Sequence, residues 1–154
     1  MTLPPAFRLI DYATEYDEEL VRMWRTSFER AVGVIDPHPI EEQIDFLHRK
    51  VVPENRVQLV IEADSGRIVA FLASNEEMVN QLYVRVDHQG RGIGTHLLEL
   101  AKQRSSGRLR LFTFQSNVGA QQFYERHGFV VIGRGFEADW QLDDLEYEWR
   151  RTDT

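Results

Sequence analysis

The sequence predicts a mixed α/β (α+β) domain built on one sheet with helices interleaved, and three observations point to it. Short apolar runs bounded by turn residues recur along the chain, helical stripes lie between them, and their order is β-α-α-β-β-β-α-β-α-β-β. A chain of 154 residues with 42% apolar composition is the right size for a single domain, 1–154, with its own core. No linker, internal repeat or low-complexity tract interrupts it.

Phe7 to Tyr12 reads as a first strand. Leu20, Met23, Trp24, Ser27, Phe28 and Ala31 then fall on one face of a 3.6-residue period, which predicts an amphipathic helix. Gly33 and the Asp36-Pro37-His38-Pro39 cluster end it, and Ile40, Ile44, Leu47 and Val51 mark a second helix. Val57 to Ile61 and Ile68 to Ala73 flank the turn residues Asp64-Ser65-Gly66, so they form a hairpin, and Met78 to Val86 supplies a third strand. Ile93, Leu97, Leu98, Leu100 and Ala101 make the next helix, closed by basic residues and Gly107. Leu109 to Phe114 alternates as a strand, and Ala120, Phe123 and Tyr124 define a short helix stopped by Gly128. Phe129 to Ile132 and Leu145 to Trp149 are the last two strands.

Composition narrows the chemistry. Cysteine is absent, which removes a thiol nucleophile, thiolate metal ligation and disulfides, and makes a reducing compartment the default. No stretch reaches the roughly 20 apolar residues of a membrane span. The start, Met-Thr-Leu-Pro-Pro, lacks the regions of a signal peptide, so a cytoplasmic protein with no membrane partner is expected. A formal charge of −7 disfavours a nucleic-acid partner, because phosphate neutralisation needs a basic surface. Residues 85 to 110 oppose that trend, with Arg85, Arg91, Lys102, Arg104, Arg108 and Arg110 against only Asp87 and Glu99. A basic element in an acidic body suggests a polyanionic cofactor at one place and a cationic acceptor at another.

The basic segment contains Gln89-Gly90-Arg91-Gly92-Ile93-Gly94, with three of the ten glycines of the chain. Glycines let a ligand approach the backbone, and the helix that starts here presents unpaired N–H groups and a positive dipole end. That is an anion-binding arrangement. It is neither a Walker A loop, which needs Lys-Ser or Lys-Thr after the last glycine, nor G-x-G-x-x-G, so nucleotide hydrolysis and dinucleotide binding are disfavoured.

A second motif, Asn117 to Phe129, begins with a residue suited to cap a helix and ends on Gly128. Together the two motifs resemble those of the GNAT family of N-acetyltransferases. Gln89-x-x-Gly92-x-Gly94 is similar to the family's acetyl-CoA loop, and Asn117-x-x-Ala120-x-x-Phe123-Tyr124-x-x-x-Gly128-Phe129 to its second cofactor segment. The resemblance covers nearly the whole chain and implies the GNAT acyl-CoA N-acyltransferase fold, whose mixed central sheet is splayed. It further implies that the pantetheine arm of acetyl-CoA pairs with the backbone of Leu82, Tyr83 and Val84. The pyrophosphate would sit on the amides of Gln89, Gly90, Arg91, Gly92, Ile93, Gly94 and Thr95. Asn117, with Ala120 in the same segment, would meet the pantetheine, and Tyr124 would point its phenol at the thioester sulfur. The bland roles for Asn117 and Tyr124 are a helix cap and a core aromatic.

Acetyl transfer needs a neutral amine, a stabilised oxyanion and a proton for the departing thiolate. A backbone N–H near Leu82 to Val84 is the expected oxyanion donor, and Tyr124 the expected acid. The base stays open between Glu77 acting through water, Asp36, His38, and no dedicated base, since Asn80 and Gln81 cannot take a proton. Direct transfer in a ternary complex is expected because no cysteine can carry the acetyl group. The acceptor, a small-molecule amine or a peptide amine, is expected among Trp24, Phe28, Asp36, His38, Met78, Asn80 and Trp140, although Trp24 and Phe28 also fit the core stripe of the first helix. Acids from Glu137 to Glu148 would draw a cation or simply solvate a hairpin. No metal is expected. The alternative function is a non-catalytic acyl-CoA-binding or sensing module on the same fold. A homodimer is common among members of the family, and no feature of this sequence requires one.

Overall fold

A computed structural model describes residues 3–152. The ends of the expected domain 1–154, including Met1 and Thr2 of the N-terminal stretch, lie outside the described residues. Strand β1 (Phe7–Asp11) leads through a 3-10 turn, Thr14–Tyr16, into α1 (Asp17–Val32). Asp17, Glu18 and Glu19 occupy the first turn of α1, where the dipole favours carboxylates. Gly33 closes the helix at φ 84°, and its N–H reaches the Glu29 carbonyl at 2.9 Å. Helix α2 (Ile40–Phe46) runs into a π-helical turn, Leu47–Val51, and then into the single turn α3 (Val52–Glu54). The Val52 N–H skips back to the Leu47 carbonyl just before Pro53 withdraws a donor, so the second predicted helix ends in a widened turn.

Strands β2 (Arg56–Glu62), β3 (Ile68–Ser74) and β4 (Val79–Val84) complete an antiparallel sheet of order β1-β2-β3-β4. Every residue of β3 is buried, as its unbroken Ile-Val-Ala-Phe-Leu-Ala run suggests for a central strand covered on both faces. Leu59, Phe71 and Ala73 pack with Leu20, Val21, Trp24 and Leu47 of the N-terminal helices. Val60, Ala70 and Leu72 pack on the other side with Ile93, Leu97, Leu98 and Ala101 of α4 (Ile93–Arg104). Each large apolar side chain buried this way contributes about 1.5–3 kcal/mol before chain entropy is subtracted.

Strand β5 (Arg108–Phe114), helix α5 (Val118–Arg126), and strands β6 (Val130–Glu137) and β7 (Leu142–Arg150) follow. They form a second antiparallel sheet of order β5-β7-β6. The splayed sheet is thus two sheets. Their link among the described residues is a parallel bridge between Met78 and Arg110, where the Arg110 N–H meets the Glu77 carbonyl at 2.9 Å. Beyond it β4 and β5 diverge.

The predicted order of elements is the observed one, with three adjustments. The third strand is Val79–Val84, because Val86–His88 turns as a 3-10 helix. The last two strands are longer than their sequence signals, since Gly133 and Gly135 dilute the β pattern of β6 while pairing with β7 carries it on to Glu137. Phe129, expected in β6, is buried just ahead of it. No helix among the described residues is long and apolar enough to cross a membrane.

Candidate active site

The divergence of β4 and β5 opens a cavity of about 920 Å³. One wall is β4 from Val79 to Tyr83, and the other is β5 from Leu111 to Phe114. Asn117, Ala120 and Tyr124 enter from α5, while Trp24 and Phe28 enter from α1. Asp36 and His38 from the α1–α2 loop and Trp140 from the β6–β7 turn lie across from them. The structure therefore gathers in one cavity Leu82, Tyr83, Asn117, Ala120 and Tyr124 of the expected cofactor residues. It also gathers Trp24, Phe28, Asp36, His38, Asn80 and Trp140 of the expected acceptor residues.

Met78 stands outside this lining, with its backbone used in the bridge to Arg110 at the closed end of the divergence. Glu77 is likewise exposed outside the lining, with its N–H bonded to Asn75 Oδ1 at 2.9 Å.

Val84, the last residue of β4, and the segment from Gln89 to Thr95 that follows the strand lie outside the lining. Gln89 ties this segment back, donating from Nε2 to the Val84 carbonyl at 3.1 Å. Gly90 and Gly92 have φ of 80° and 82°, and a Cβ at either would point into open space. Gly92 caps α4 without any side-chain hydrogen bond, so the first-turn N–H groups of Ile93, Gly94 and Thr95 lack a capping partner. An anion fits such a helix start. Gly94 packs closely: a Cβ there would stand in contact, 3.4 Å from the Phe123 ring and 3.5 Å from Val84 Cγ2. Thr95 Oγ1 lies 3.2 Å from His127 Nε2, and Arg91 is exposed.

Asn117 Oδ1 accepts from the Ala120 N–H at 3.1 Å and caps α5. This leaves the side-chain NH2 as the group with which Asn117 would meet a ligand. Tyr124 is buried against Phe123, Phe129 and Tyr147, with ring centroids 5.2, 5.4 and 6.4 Å away. Burial, with the Tyr83 phenol as a second cause, raises the Tyr124 hydroxyl well above the ordinary phenol range. Tyr83, stacked on Phe71 at 6.2 Å, is raised by burial as well. Both phenols are therefore held protonated, as donors.

Several lining residues were not singled out by the sequence. Glu42, Asp45 and Phe46 come from α2 and Arg49 from the π-helical turn after it, Phe112, Thr113 and Phe114 from β5, and Asp144 from β7. Thr113 carried a signal: it is polar at an inward position of an alternating strand, and its buried Oγ1 has no hydrogen-bond partner. The α2 residues carried none, because they read as the solvated face of an amphipathic helix. The lining carboxylates Asp36, Glu42, Asp45, Glu137, Asp139 and Asp144 outweigh Arg49 and His38, which makes the cavity anionic. Among the described residues no group of three or more His, Asp or Glu side chains is placed to hold a metal ion.

The two sheets part beside a glycine-started helix, with a buried phenol at the split. A family model described as Acetyltransferase (GNAT) domain matches residues 12–149. The chain belongs to the GNAT acetyltransferase family and is an N-acetyltransferase by that membership. It is 28% identical over 131 residues to peptidyl-lysine N-acetyltransferase YjaB of Salmonella typhimurium, a match that covers 85% of each protein. The solution structure of apo-form YjaB from Escherichia coli aligns with a TM-score of 0.76 at 23% identity, covering 95% of this chain and 99% of that one. The structure of yncA from Salmonella typhimurium with its cofactor acetyl-CoA aligns with a TM-score of 0.69 at 14% identity, covering 97% and 96%.

Proposed function

We propose that the protein transfers the acetyl group of acetyl-CoA directly to a primary amine, with both substrates bound together. The observation that carries this reading is the parting of β4 from β5 beside the buried Tyr124 phenol. A gap next to an open strand edge suits an extended amide-bearing chain, which would pair with the backbone of Leu82 to Val84 as an added strand does. The uncapped N–H groups after Gly92 suit its diphosphate. Acetyl-CoA supplies an activated thioester.

The residues of this chain then divide the remaining work. A main-chain N–H of β4 near Leu82 to Val84 offers the hydrogen bond that an oxyanion needs. Tyr124, kept protonated by burial, gives its proton to the leaving sulfur. Trp24, Phe28 and Trp140 exclude water on the acceptor side, Phe28 and Trp140 standing 5.0 Å apart. The surplus of carboxylates around the cavity supports a cationic acceptor. The similarity to a peptidyl-lysine N-acetyltransferase makes a lysine side chain in a peptide the first acceptor to test, with a small amine as the second. The absence of cysteine supports a reducing, cytoplasmic setting.

Calorimetric titration of acetyl-CoA, followed by a thiol-release assay with a lysine peptide and with spermidine, tests the proposal. One-to-one saturable binding and amine-dependent thiol release are expected. A folded protein that binds no acetyl-CoA would overturn it.

A further inference from the structure

We infer that His38 is the general base, with Asp36 as the residue that positions it; this rests on the acetyl-transfer function proposed above. An alkylammonium with a pKa of about 10.4 is almost wholly protonated at neutral pH, so the acceptor must lose a proton before its nitrogen can attack. The polar residues that β4 offers to the cavity, Asn80 and Gln81, cannot take one. Glu77 stands outside the lining. Asp45 is bound to Arg49 at 2.6 Å, and Glu137 accepts the Asp139 N–H at 2.7 Å.

His38 is built differently. Asp36 Oδ1 stands 2.7 Å from its ring Nδ1 and accepts its backbone N–H at 2.9 Å. Asp36 is fixed in turn, with its own N–H on Glu29 Oε2 at 2.6 Å and its Oδ2 3.6 Å from Arg25 Nη2. Arg25 also donates to Gln43 Oε1 at 3.0 Å, which ties the loop to α2. Pro37 and Pro39 flank His38 and restrict its backbone. The imidazole meets Trp140 edge-on at 5.8 Å. With Nδ1–H directed at Asp36, the lone pair sits on Nε2, which has no protein partner among the described residues. The side chain is about half exposed and lines the cavity. A carboxylate that orients one imidazole nitrogen while the other faces a substrate cavity is the arrangement of an activated base.

The step balances as follows. Nε2 removes one proton from the ammonium, and the freed nitrogen lone pair forms the C–N bond to the thioester carbon. The C–S bond then breaks, and the sulfur takes the Tyr124 proton. The second amine proton returns to the phenolate, and the proton on His38 passes to solvent. The charged groups around the same cavity are Arg25 and Glu29 of α1, Glu42 and Asp45 of α2, Arg49 of the π-helical turn, Glu137 and Asp139 near the β6–β7 turn, and Asp144 of β7.

The test is the pH profile of kcat/KM for thiol release with the lysine peptide and with spermidine, alongside calorimetry with acetyl-CoA. The kcat/KM of wild type should show a limb that rises with pH. His38→Gln should lose that limb and fall about 100-fold, with unchanged acetyl-CoA affinity and melting temperature. Added imidazole should restore part of the rate to His38→Ala. Asp36→Asn should lower kcat with little change in the amine KM or in acetyl-CoA affinity, because the imidazole loses the carboxylate that orients Nδ1. An active wild type matched in rate and profile by His38→Gln would overturn the base alone. A wild type that binds acetyl-CoA yet acetylates neither amine would overturn the proposed function and the base with it.

Discussion

Met78 and Arg110 form the one parallel bridge that joins the two sheets among the described residues. Everything the cavity offers follows from where that bridge stops. On the near side the strands are coupled through the Glu77 carbonyl. On the far side Leu82 and Tyr83 of β4 and Phe112 and Thr113 of β5 line the same cavity.

Replacing Tyr124 by Phe should lower kcat by about 100-fold while leaving acetyl-CoA affinity in calorimetry nearly unchanged. Because burial holds the phenol above its ordinary range, kcat should show no basic downturn from this group through about pH 10. A downturn below pH 9 that vanishes in Tyr124→Phe would count against that assignment. Equal losses of affinity and rate would instead mark Tyr124 as a packing residue.

Gly92 stands at φ 82° with an open surround. Gly92→Ala should therefore cost about 1–2 kcal/mol of stability through backbone strain alone, read as a lower melting temperature. The strained helix start should also weaken acetyl-CoA binding. Unchanged melting and affinity would show that the loop tolerates another conformation.

Trp140→Ala removes the ring that meets both Phe28 and His38. The expected outcome is a raised KM for the amine with little change in acetyl-CoA affinity, since Trp140 lies on the acceptor side. A selective loss of acetyl-CoA binding in calorimetry would reverse the two sides of the cavity.

Stability should fall at both ends of the pH scale. The Ser65 hydroxyl, then His88 and Arg67, hold the Glu62 carboxyl low; His88 and Arg85 do so for Asp87; Arg150, Arg108 and Arg110 do so for Glu148. Depressed carboxyls stabilise above their unfolded pKa of about 4 and lose that contribution as pH falls further. Tyr147 acts at the other end, pushed up to about 12 by burial and by its hydrogen bond to Glu125. Its contribution is intact below its unfolded pKa of about 10 and is lost as pH rises from there through about 12. Melting temperatures from pH 3 to 11 check both arms, and Tyr147→Phe should flatten the basic one.

What could be read in advance was local. The unbroken run from Ile68 to Ala73, the 3.6-residue stripe of α1 and the glycines at 90, 92 and 94 each carry their structure within a few residues. What could not be read depends on partners remote in sequence. Met78 looks like any strand residue until Arg110 pairs with it. Glu42 and Arg49 look solvated until the β6–β7 turn brings Trp140 across the same cavity. Strand β6 extends through two glycines because β7 supplies the ladder. The Asp36–His38 contact was within reach of the sequence, two residues apart between prolines, but its approach to Trp140 was not.

Gly94 admits the Phe123 ring and the Val84 side chain to within a methyl's reach. A side chain bulkier than alanine there would press on the Phe123 ring of α5, one residue before Tyr124. Under the proposed acetyl transfer, the aim of the Tyr124 phenol would then depend on an empty spot in the other motif. Under that reading, change at position 94 would alter turnover through Phe123 and Val84, with no contact of its own to the reacting atoms.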